Sequence, residues 1–113
     1  MFLIENESRK LFQINNNGHI YARQIRVNLD LAWPDYVFQL NYQLMPLSQL
    51  ETFIKQHGHL PNVPKASEVN VNGIDLGETN RILMEKVEEL TLYLIQQQKK
   101  LDQIELEIKT IQN

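Results

Sequence analysis

The chain has 113 residues, of which 42% are hydrophobic and 22% are charged, and this composition is typical of one globular domain rather than of a disordered chain. A formal net charge of −3 and the lack of a basic block give no support to nucleic-acid binding, and the lack of cysteine excludes disulfides, cysteine zinc sites and thiolate nucleophiles. No apolar run reaches the roughly 18 residues of a membrane span, so we expect no membrane insertion. The start MFLIENESRK also lacks the basic segment and long apolar run of a signal peptide.

Residues 1–29 are predicted to form short β-strands. An apolar segment precedes Asn17-Gly18 and an alternating segment follows it. Asn and Gly both tolerate positive φ, so this pair predicts the turn of a hairpin. A lone hairpin is only marginally stable in water, and we therefore expect these strands to pack on the rest of the domain or on another copy.

Aromatic residues are concentrated in residues 30–46. Pro34 excludes a helix through Trp33, so irregular or edge-like structure is expected here. Two interpretations of the aromatic residues are open: a small core, which we favour because aromatic side chains bury the most area per residue, and an exposed platform for a carbohydrate or peptide. The residues assigned to this group are Trp33, Tyr36, Phe38, Tyr42 and Phe53.

A short helix is predicted for residues 47–57, where apolar residues recur at helical spacing. Ser48 is predicted to cap its N-terminus, with Glu51 three residues later completing a capping box. Gly58 stands where a left-handed residue commonly ends a helix. Together with residues 30–46 before it and the connector after it, this helix is predicted to form a small α+β elaboration over residues 30–74.

Residues 59–74 are predicted to be a polar connector stiffened by Pro61 and Pro64. His57 and His59 lie at its start. They offer two metal ligands at most, whereas a structural zinc site needs four and a catalytic site three. We interpret both histidines as structural, and leave open a site at an oligomer axis that gathers one histidine from each copy.

The sequence does not predict an enzyme. It contains no G-x-S-x-G, P-loop or H-E-x-x-H motif. Ser8, followed by Arg9 and Lys10, is the one place where a Ser–Lys pair could be imagined, and we interpret it as non-catalytic. No catalytic residue, metal ligand or cofactor is assigned. Three carboxylates of the last predicted helix are expected on its solvated faces: Glu85, Glu88 and Glu89.

A single long helix is predicted for residues 75–113. Asp75 and Glu78 form a second capping-box pattern, and neither proline nor glycine follows Gly77. About 36 residues of helix would span roughly 54 Å, which is long for a compact domain of this size. Alternating steps of four and three residues define a seam along it: Leu76, Asn80, Leu83, Val87, Leu90, Leu94, Gln97, Leu101, Ile104, Ile108 and Ile111.

Nine of these eleven seam positions are aliphatic, and the register does not break. A period of 3.5 residues sustained in this way predicts a left-handed parallel coiled coil. Leu101 with Ile104, and Ile108 with Ile111, favour trimers or tetramers over dimers. The sequence therefore predicts self-association, with three chains as the preferred number.

Polar residues interrupt the seam at Asn80 and Gln97. Buried amides of this kind commonly fix register in coiled coils, so we interpret both as alignment devices, with ion binding on the axis as the alternative. The N-terminal half of the helix is also apolar outside the seam, for example at Ile82 and Leu92. We expect the aromatic core to pack against that part of the helix.

Several motifs occur in an order that resembles a known class of assembly domain: W-P-D-Y-V-F, Y-x-L-M-P-L, G-H-L-P-x-V-P, G-I-x-L-G-E and E-E-L-T-L-Y, all within residues 17–100. Their combination resembles the C-terminal trimerisation domain of bacterial surface and phage tail-fibre-like proteins, similar in role to the intramolecular chaperone domain of endosialidase-type tail spikes. The resemblance implies a homotrimeric cap on a β-rich fibre, at a cell surface or on a virion. The Ser-Asp-x-Arg-x-Lys type signature of self-cleaving domains is not found around Ser8, so self-cleavage is not implied.

These observations together predict an α+β chain that acts as a non-enzymatic homotrimerisation and assembly domain of a fibrous protein. Its expected partners are its own copies and a larger fibre, surface protein or machine. Two alternatives are a receptor- or glycan-binding fibre tip and an adaptor subunit of a secretion, motility or injection machine. The start at Met1, with little shaft before the hairpin, leaves open a fragment and a short stand-alone subunit.

Overall fold

The computed structural model describes residues 1–112 and confirms an α+β fold with a long final helix. The described chain extends over 74 × 37 × 27 Å, so it is strongly elongated. In chain order the elements are β1 (Phe2–Glu5), β2 (Lys10–Ile14), β3 (Ile20–Ala22), a 3-10 helix (Pro34–Phe38), α1 (Leu47–His57), α2 (Ala66–Asn72) and α3 (Leu76–Gln112).

The three strands form one antiparallel sheet in the order β1-β2-β3. The predicted hairpin joins β2 to β3. Its loop is closed by the Asn15 N–H, which donates to the His19 carbonyl over 2.9 Å, and by the Gly18 N–H, which donates to the Asn15 carbonyl over 3.0 Å. Gly18 adopts a φ of 85°, the positive value that glycine accommodates without steric cost.

One face of this sheet is entirely apolar. Directly opposed residues of antiparallel strands project to the same side, and the pairing aligns one row across β1, β2 and β3 and a second row beside it. The residues of the two rows are Phe2, Ile14 and Ile20, then Ile4, Phe12 and Ala22. Phe2, Ile4 and Ile20 remain about half exposed, so within residues 1–112 this face is not covered.

The core lies where the 3-10 helix packs on α3. Pro34 occupies the first turn of the 3-10 helix, and Pro34 and Val37 both become almost completely buried. Residues three apart share a face of a 3-10 helix, so these two meet α3 while their neighbours turn outward. Trp33 and Phe38 are 47% and 52% exposed as a result, so Pro34 and Val37 rather than these two aromatic residues form the apolar part of this contact.

Helix α1 begins differently from the prediction. The residue before its first turn is Pro46, and no side chain caps the helix, so the capping box of Ser48 and Glu51 is wrong. Ser48 already lies inside the helix, and Glu51 pairs instead with Lys55 over 2.8 Å. The predicted helix end is confirmed: Gly58 has a φ of 74° and donates its N–H to the carbonyl of the last turn.

The connector of residues 59–74 is more structured than expected. It begins with a turn in which the Val63 N–H donates to the Leu60 carbonyl over 3.2 Å. Pro61 and Asn62 are its central residues, and Asn62 has a φ of 64°, which together define a type II turn. The helix α2, which was not predicted, then occupies most of the remaining connector.

Helix α3 starts as predicted from Asp75, whose Oδ1 accepts a 2.8 Å hydrogen bond from the Glu78 N–H. The Glu78 side chain pairs with Arg81 rather than closing the box. The chain between the sheet and the 3-10 helix crosses this first turn. A Cβ placed on Gly77 would lie 2.5 Å from Val27 and 2.7 Å from Leu29, so only glycine permits this close crossing.

Candidate functional site on helix α3

The predicted seam faces solvent along the whole described length of α3. All eleven seam residues are exposed, and the exposure of the nine aliphatic ones runs from 48% at Ile108 to 83% at Ile111. From residue 94 to residue 112 every side chain of the helix is exposed. A single chain therefore leaves an aliphatic stripe, interrupted at Asn80 and Gln97, in contact with water at an unfavourable hydration free energy.

The intrachain contacts use another side of the same helix. Its buried residues are Gly77, Glu85, Glu88 and Tyr93. With about 100° of rotation per residue, Glu85 and Glu88 lie on the side opposite the seam, whereas Gly77 and Tyr93 lie at the two edges of the buried face. The expectation that the aromatic core packs against the N-terminal half of α3 is met only in part. The 3-10 helix packs there, but Trp33 is 47% exposed. Phe53 lies with His57 and His59 instead.

Glu85 is the centre of a polar network inside this contact. The Tyr36 hydroxyl donates to Glu85 Oε1 over 2.7 Å, and Arg81 Nη1 donates to the Tyr36 oxygen over 3.1 Å. Burial, and then the bond to Glu85, raises the pKa of Tyr36, so the hydroxyl keeps its proton and remains a donor. The network fixes the position of the 3-10 helix along α3.

Glu88 is buried beside this network but is not satisfied by it. The residue is 9% exposed, and its Oε2 has no hydrogen-bond partner among the described residues. Burial, and then the nearby charge of Asp35, raises the pKa of Glu88. A raised pKa reflects the cost of holding a carboxylate away from water.

The expectation that Glu85 and Glu88 are solvated is therefore wrong, whereas Glu89 is half-buried and pairs with Lys86 over 3.0 Å. A sequence signal for the buried face exists. A second stripe on α3 runs beside the seam with the same spacings of three and four residues, but it includes glycine and charged residues. Its positions are 77, 81, 85, 88 and 92.

A pocket of about 180 Å³ lies beside the buried face. Its walls come from the chain after the 3-10 helix, from α1, from the Leu60–Asn62 turn and from α3. The α3 residues are Lys86, Glu89, Leu90 and Tyr93. The Tyr93 hydroxyl ties α3 to the opposite wall, since it donates to the Met45 carbonyl over 2.6 Å.

Tyr42 contributes the other hydroxyl of the pocket wall. Its ring centroid is 6.0 Å from that of Tyr36, so two of the predicted aromatic residues do meet. Burial, and then the charge of Glu89, raises the pKa of Tyr42 to about 12. The hydroxyl is therefore neutral at physiological pH, and the pocket combines apolar walls with one Lys–Glu pair at its rim.

Phe53 lies in a different aromatic group from Tyr36 and Tyr42. Its ring centroid is 4.4 Å from that of His57 and 5.7 Å from that of His59. His59 Nδ1 lies 2.8 Å from the Leu60 carbonyl, which only accepts, so Nδ1 carries the proton. In residues 1–112 no group of three potential ligands stands close enough to hold a metal ion.

Ser8 lies in the loop between β1 and β2. Its hydroxyl donates to Asn6 Oδ1 over 3.1 Å, and the same oxygen accepts from the Ser8 N–H over 3.0 Å. Asn6 Oδ1 also accepts from the Arg9 N–H over 3.0 Å. These bonds place Ser8 in a local turn, where its hydroxyl supports the loop.

Across residues 1–112, no helix combines the length and the apolar character that crossing a membrane requires. Comparison of the chain with protein-family models, with curated proteins and with solved structures yields no match in any of the three.

Proposed function

We propose that this chain is a non-enzymatic homotrimerisation and assembly domain that joins three copies through a parallel coiled coil of α3. The observation that carries the proposal is the exposed aliphatic seam, which lies opposite the face that packs on the chain's own 3-10 helix. Because Glu85 and Glu88 lie on the opposite side of the helix, three helices can meet along the seam while α3 keeps its contact with the 3-10 helix.

The exposed area supports an additional partner. A monomeric chain of 13.3 kDa is expected to expose about 6,500 Å², whereas this chain exposes 9705 Å². The excess is much larger than the roughly 800 Å² that each partner buries in an interface of standard size. Only Val37 and Tyr93 are buried hydrophobic residues among those described, so a lone chain has little core of its own.

The charges at the seam margins favour parallel chains in register. With Leu101 at position a, Lys100 occupies g and Glu105 occupies e of the next heptad. In a parallel coiled coil these positions face each other on neighbouring helices. Asn80 and Gln97 would then meet their own copies in two polar layers, which disfavours a shifted register.

The sheet would gain partners from the same arrangement. Val27 and Leu29 lie against Gly77, so the chain leaving the sheet is held at the start of α3. Parallel helices would bring three uncovered apolar sheet faces to one end of the assembly at high effective concentration. Slow pairing between distant strands benefits most from such local concentration.

From the resemblance in motif order, we propose that this activity belongs to a tail-fibre-like or cell-surface fibrous protein, outside the cell or on a virion. A larger fibre or surface protein would be the further partner. This part of the proposal rests on the motifs, and the oligomerisation itself rests on the geometry of α3.

The test compares two leucines of α3 that are equally exposed in the single chain. Leu101 and Leu106 are both 60% exposed, but only Leu101 belongs to the seam. Leu101→Asp should therefore shift the mass measured by light scattering from three chains toward one at micromolar concentration. Leu106→Asp should leave it at three chains, because aspartate there stays in water.

A monomeric parent chain would overturn the proposal, and so would equal effects of the two substitutions. A mass of two or four chains would retain self-association through the seam and correct the number of copies. Circular dichroism on all three proteins shows whether the helix itself survives each substitution.

A second candidate function, a binding tip, is favoured by one observation. Trp33, Phe38 and Leu40 are exposed in series, with Leu40 fully accessible. Trp33→Ala should leave the mass unchanged and abolish binding to cells or glycan arrays if this series recognises a ligand. Unchanged binding by that variant would remove the candidate.

A further inference from the structure

The pocket beside α3 borders the seam. Leu90 belongs to both, because it is a d position of the seam and also lines the pocket. Lys86 and Tyr93, two further pocket residues, occupy g positions, which flank a coiled-coil seam on one side. The pocket therefore opens on the side of α3 that a neighbouring helix would approach.

Register identifies the part of the neighbour that would face the pocket. In a parallel coiled coil the g side of one helix faces the e side of the next, about five residues further along. Lys86 would then face Thr91 of the neighbouring copy, and Tyr93 would face Gln98 of that copy. The exposed residue of the neighbour between these two levels, on the same flank, is Ile95.

Ile95 is an apolar residue that the single chain leaves partly exposed. It is 46% exposed, lies outside the seam and belongs to the part of α3 that extends beyond the intrachain contacts. An apolar side chain at such a position is usually replaced by a charged one unless something covers it. The pocket of one copy and the exposed Ile95 side chain of the neighbouring copy would thus lie at matching levels along the coiled coil.

We propose that the pocket formed by the Leu60–Asn62 turn and α3 receives Ile95 of the neighbouring copy. The inference rests on the proposed function, since it requires parallel helices in register. A volume of about 180 Å³ exceeds the roughly 150 Å³ of a cavity that accommodates benzene, so one branched side chain has room to enter. The contact would add a specific side-chain interaction between neighbouring copies outside the seam.

The proposed contact gives the Leu60–Asn62 turn a role in the assembly. Pro61 and Asn62 hold Leu60 against the pocket from outside the helix. In the assembly the turn of one copy would clasp α3 of the next. Only copies aligned at the correct register could place Ile95 at the pocket, so the turn would act as a register check.

Cross-linking between copies tests this contact, and the chain has no cysteine to interfere. Leu60→Cys and Ile95→Cys variants are unfolded together, refolded to exchange chains, and treated with a short bis-maleimide. The expected product is a linked pair that contains one chain of each variant. Leu60→Cys mixed with Leu106→Cys is the control, since Leu106 is exposed on the outer face.

Light scattering of each mixture before cross-linking distinguishes a failure of the pocket contact from a failure of the proposed trimerisation. Trimeric mass with no Leu60→Cys to Ile95→Cys product above the control overturns the pocket contact and leaves the proposed function standing. Monomeric mass overturns both. Trimeric mass with the expected product supports both.

A second measurement uses dissociation. Ile95→Asp should raise the dissociation constant of the assembly by about tenfold or more, because an apolar contact is replaced by a charge in the same pocket. Leu106→Asp should leave it unchanged. Equal dissociation constants for Ile95→Asp and the parent chain would overturn the contact.

Discussion

The Tyr36 hydroxyl donates a 2.7 Å hydrogen bond to Glu85 Oε1, and this bond joins residues that are 49 positions apart in the chain. It fastens a five-residue 3-10 helix to a helix of 37 residues. Glu85 is 6% exposed and its Oε2 lies 3.6 Å from Lys86 Nζ, so the bond supplies the hydrogen-bond donor for the other oxygen of a buried carboxylate. The contact between the two elements is therefore specific in position.

Removal of the Tyr36 hydroxyl should show how much the hydrogen bond to the buried Glu85 carboxylate contributes to the free energy of unfolding. Tyr36→Phe should lower the free energy of unfolding by about 1–3 kcal/mol, because Glu85 loses its donor but stays buried. Urea unfolding at fixed chain concentration measures this difference, since the proposed self-association would make stability depend on concentration. Tyr36→Phe combined with Glu85→Leu should recover most of the loss, and an equally unstable double variant would contradict the explanation.

Glu88 predicts a pH dependence of stability. Its pKa in the folded chain lies above the ordinary value of 4.5, so the folded state binds a proton that the unfolded state releases between these two pKa values. The free energy of unfolding should therefore fall as pH rises through that window. Below pH 4.5 the contribution of Glu88 is complete, and above its raised pKa it is lost.

The matching substitution is Glu88→Gln, which keeps the shape and removes the charge. The variant should be more stable than the parent at neutral pH and equal to it below pH 4.5, as measured by urea unfolding across the pH range. Glu68→Gln, at an exposed position of α2, is the control and should follow the parent curve. A parent curve that rises through the window would refute the assignment.

Gly77 predicts a steric effect at the start of α3. Gly77→Ala adds a methyl group where Val27 Cγ1 would lie only 2.5 Å away, and the β-branched valine has little freedom to move aside. Although alanine favours helices, thermal unfolding should show a net loss of about 1–3 kcal/mol from overpacking. Val27→Ala in the same chain should relieve the clash, so the double variant should be more stable than Gly77→Ala alone.

Asn62 predicts a dependence on backbone conformation. Its φ of 64° is tolerated by asparagine and glycine but is strained for a β-branched residue. Asn62→Gly should leave the melting temperature nearly unchanged, whereas Asn62→Val should lower it clearly. Equal melting temperatures for the two variants would show that the type II turn is not maintained in solution.

The sequence predicts the elements whose signals are local. The long helix follows from an unbroken spacing of three and four residues, and its start follows from Asp75, which caps it directly. Gly58 and Gly18 occupy the positive-φ positions that their surroundings indicate. In each case the information lies within a few residues of the element.

The features that the sequence does not predict depend on distant parts of the chain. The burial of Glu85 and Glu88 requires the 3-10 helix to lie on α3, and that contact is not visible in the spacing of charged residues. Trp33 and Phe38 are exposed because the 3-10 helix packs on α3 through Pro34 and Val37. Helix α2 was missed since its seven residues are mostly polar and stand between a proline-bearing turn and Gly73.

The separation of the two faces of α3 has a consequence for how such chains can diverge. Residues of the seam and residues opposite it share few contacts, so the effects of substitutions on the two sides should be nearly additive. In the proposed assembly, a new choice of partner or a different number of chains could then arise by changing the seam while Tyr36, Glu85 and Val37 stay as they are. One helix can thus conserve a fold and vary an assembly at the same time.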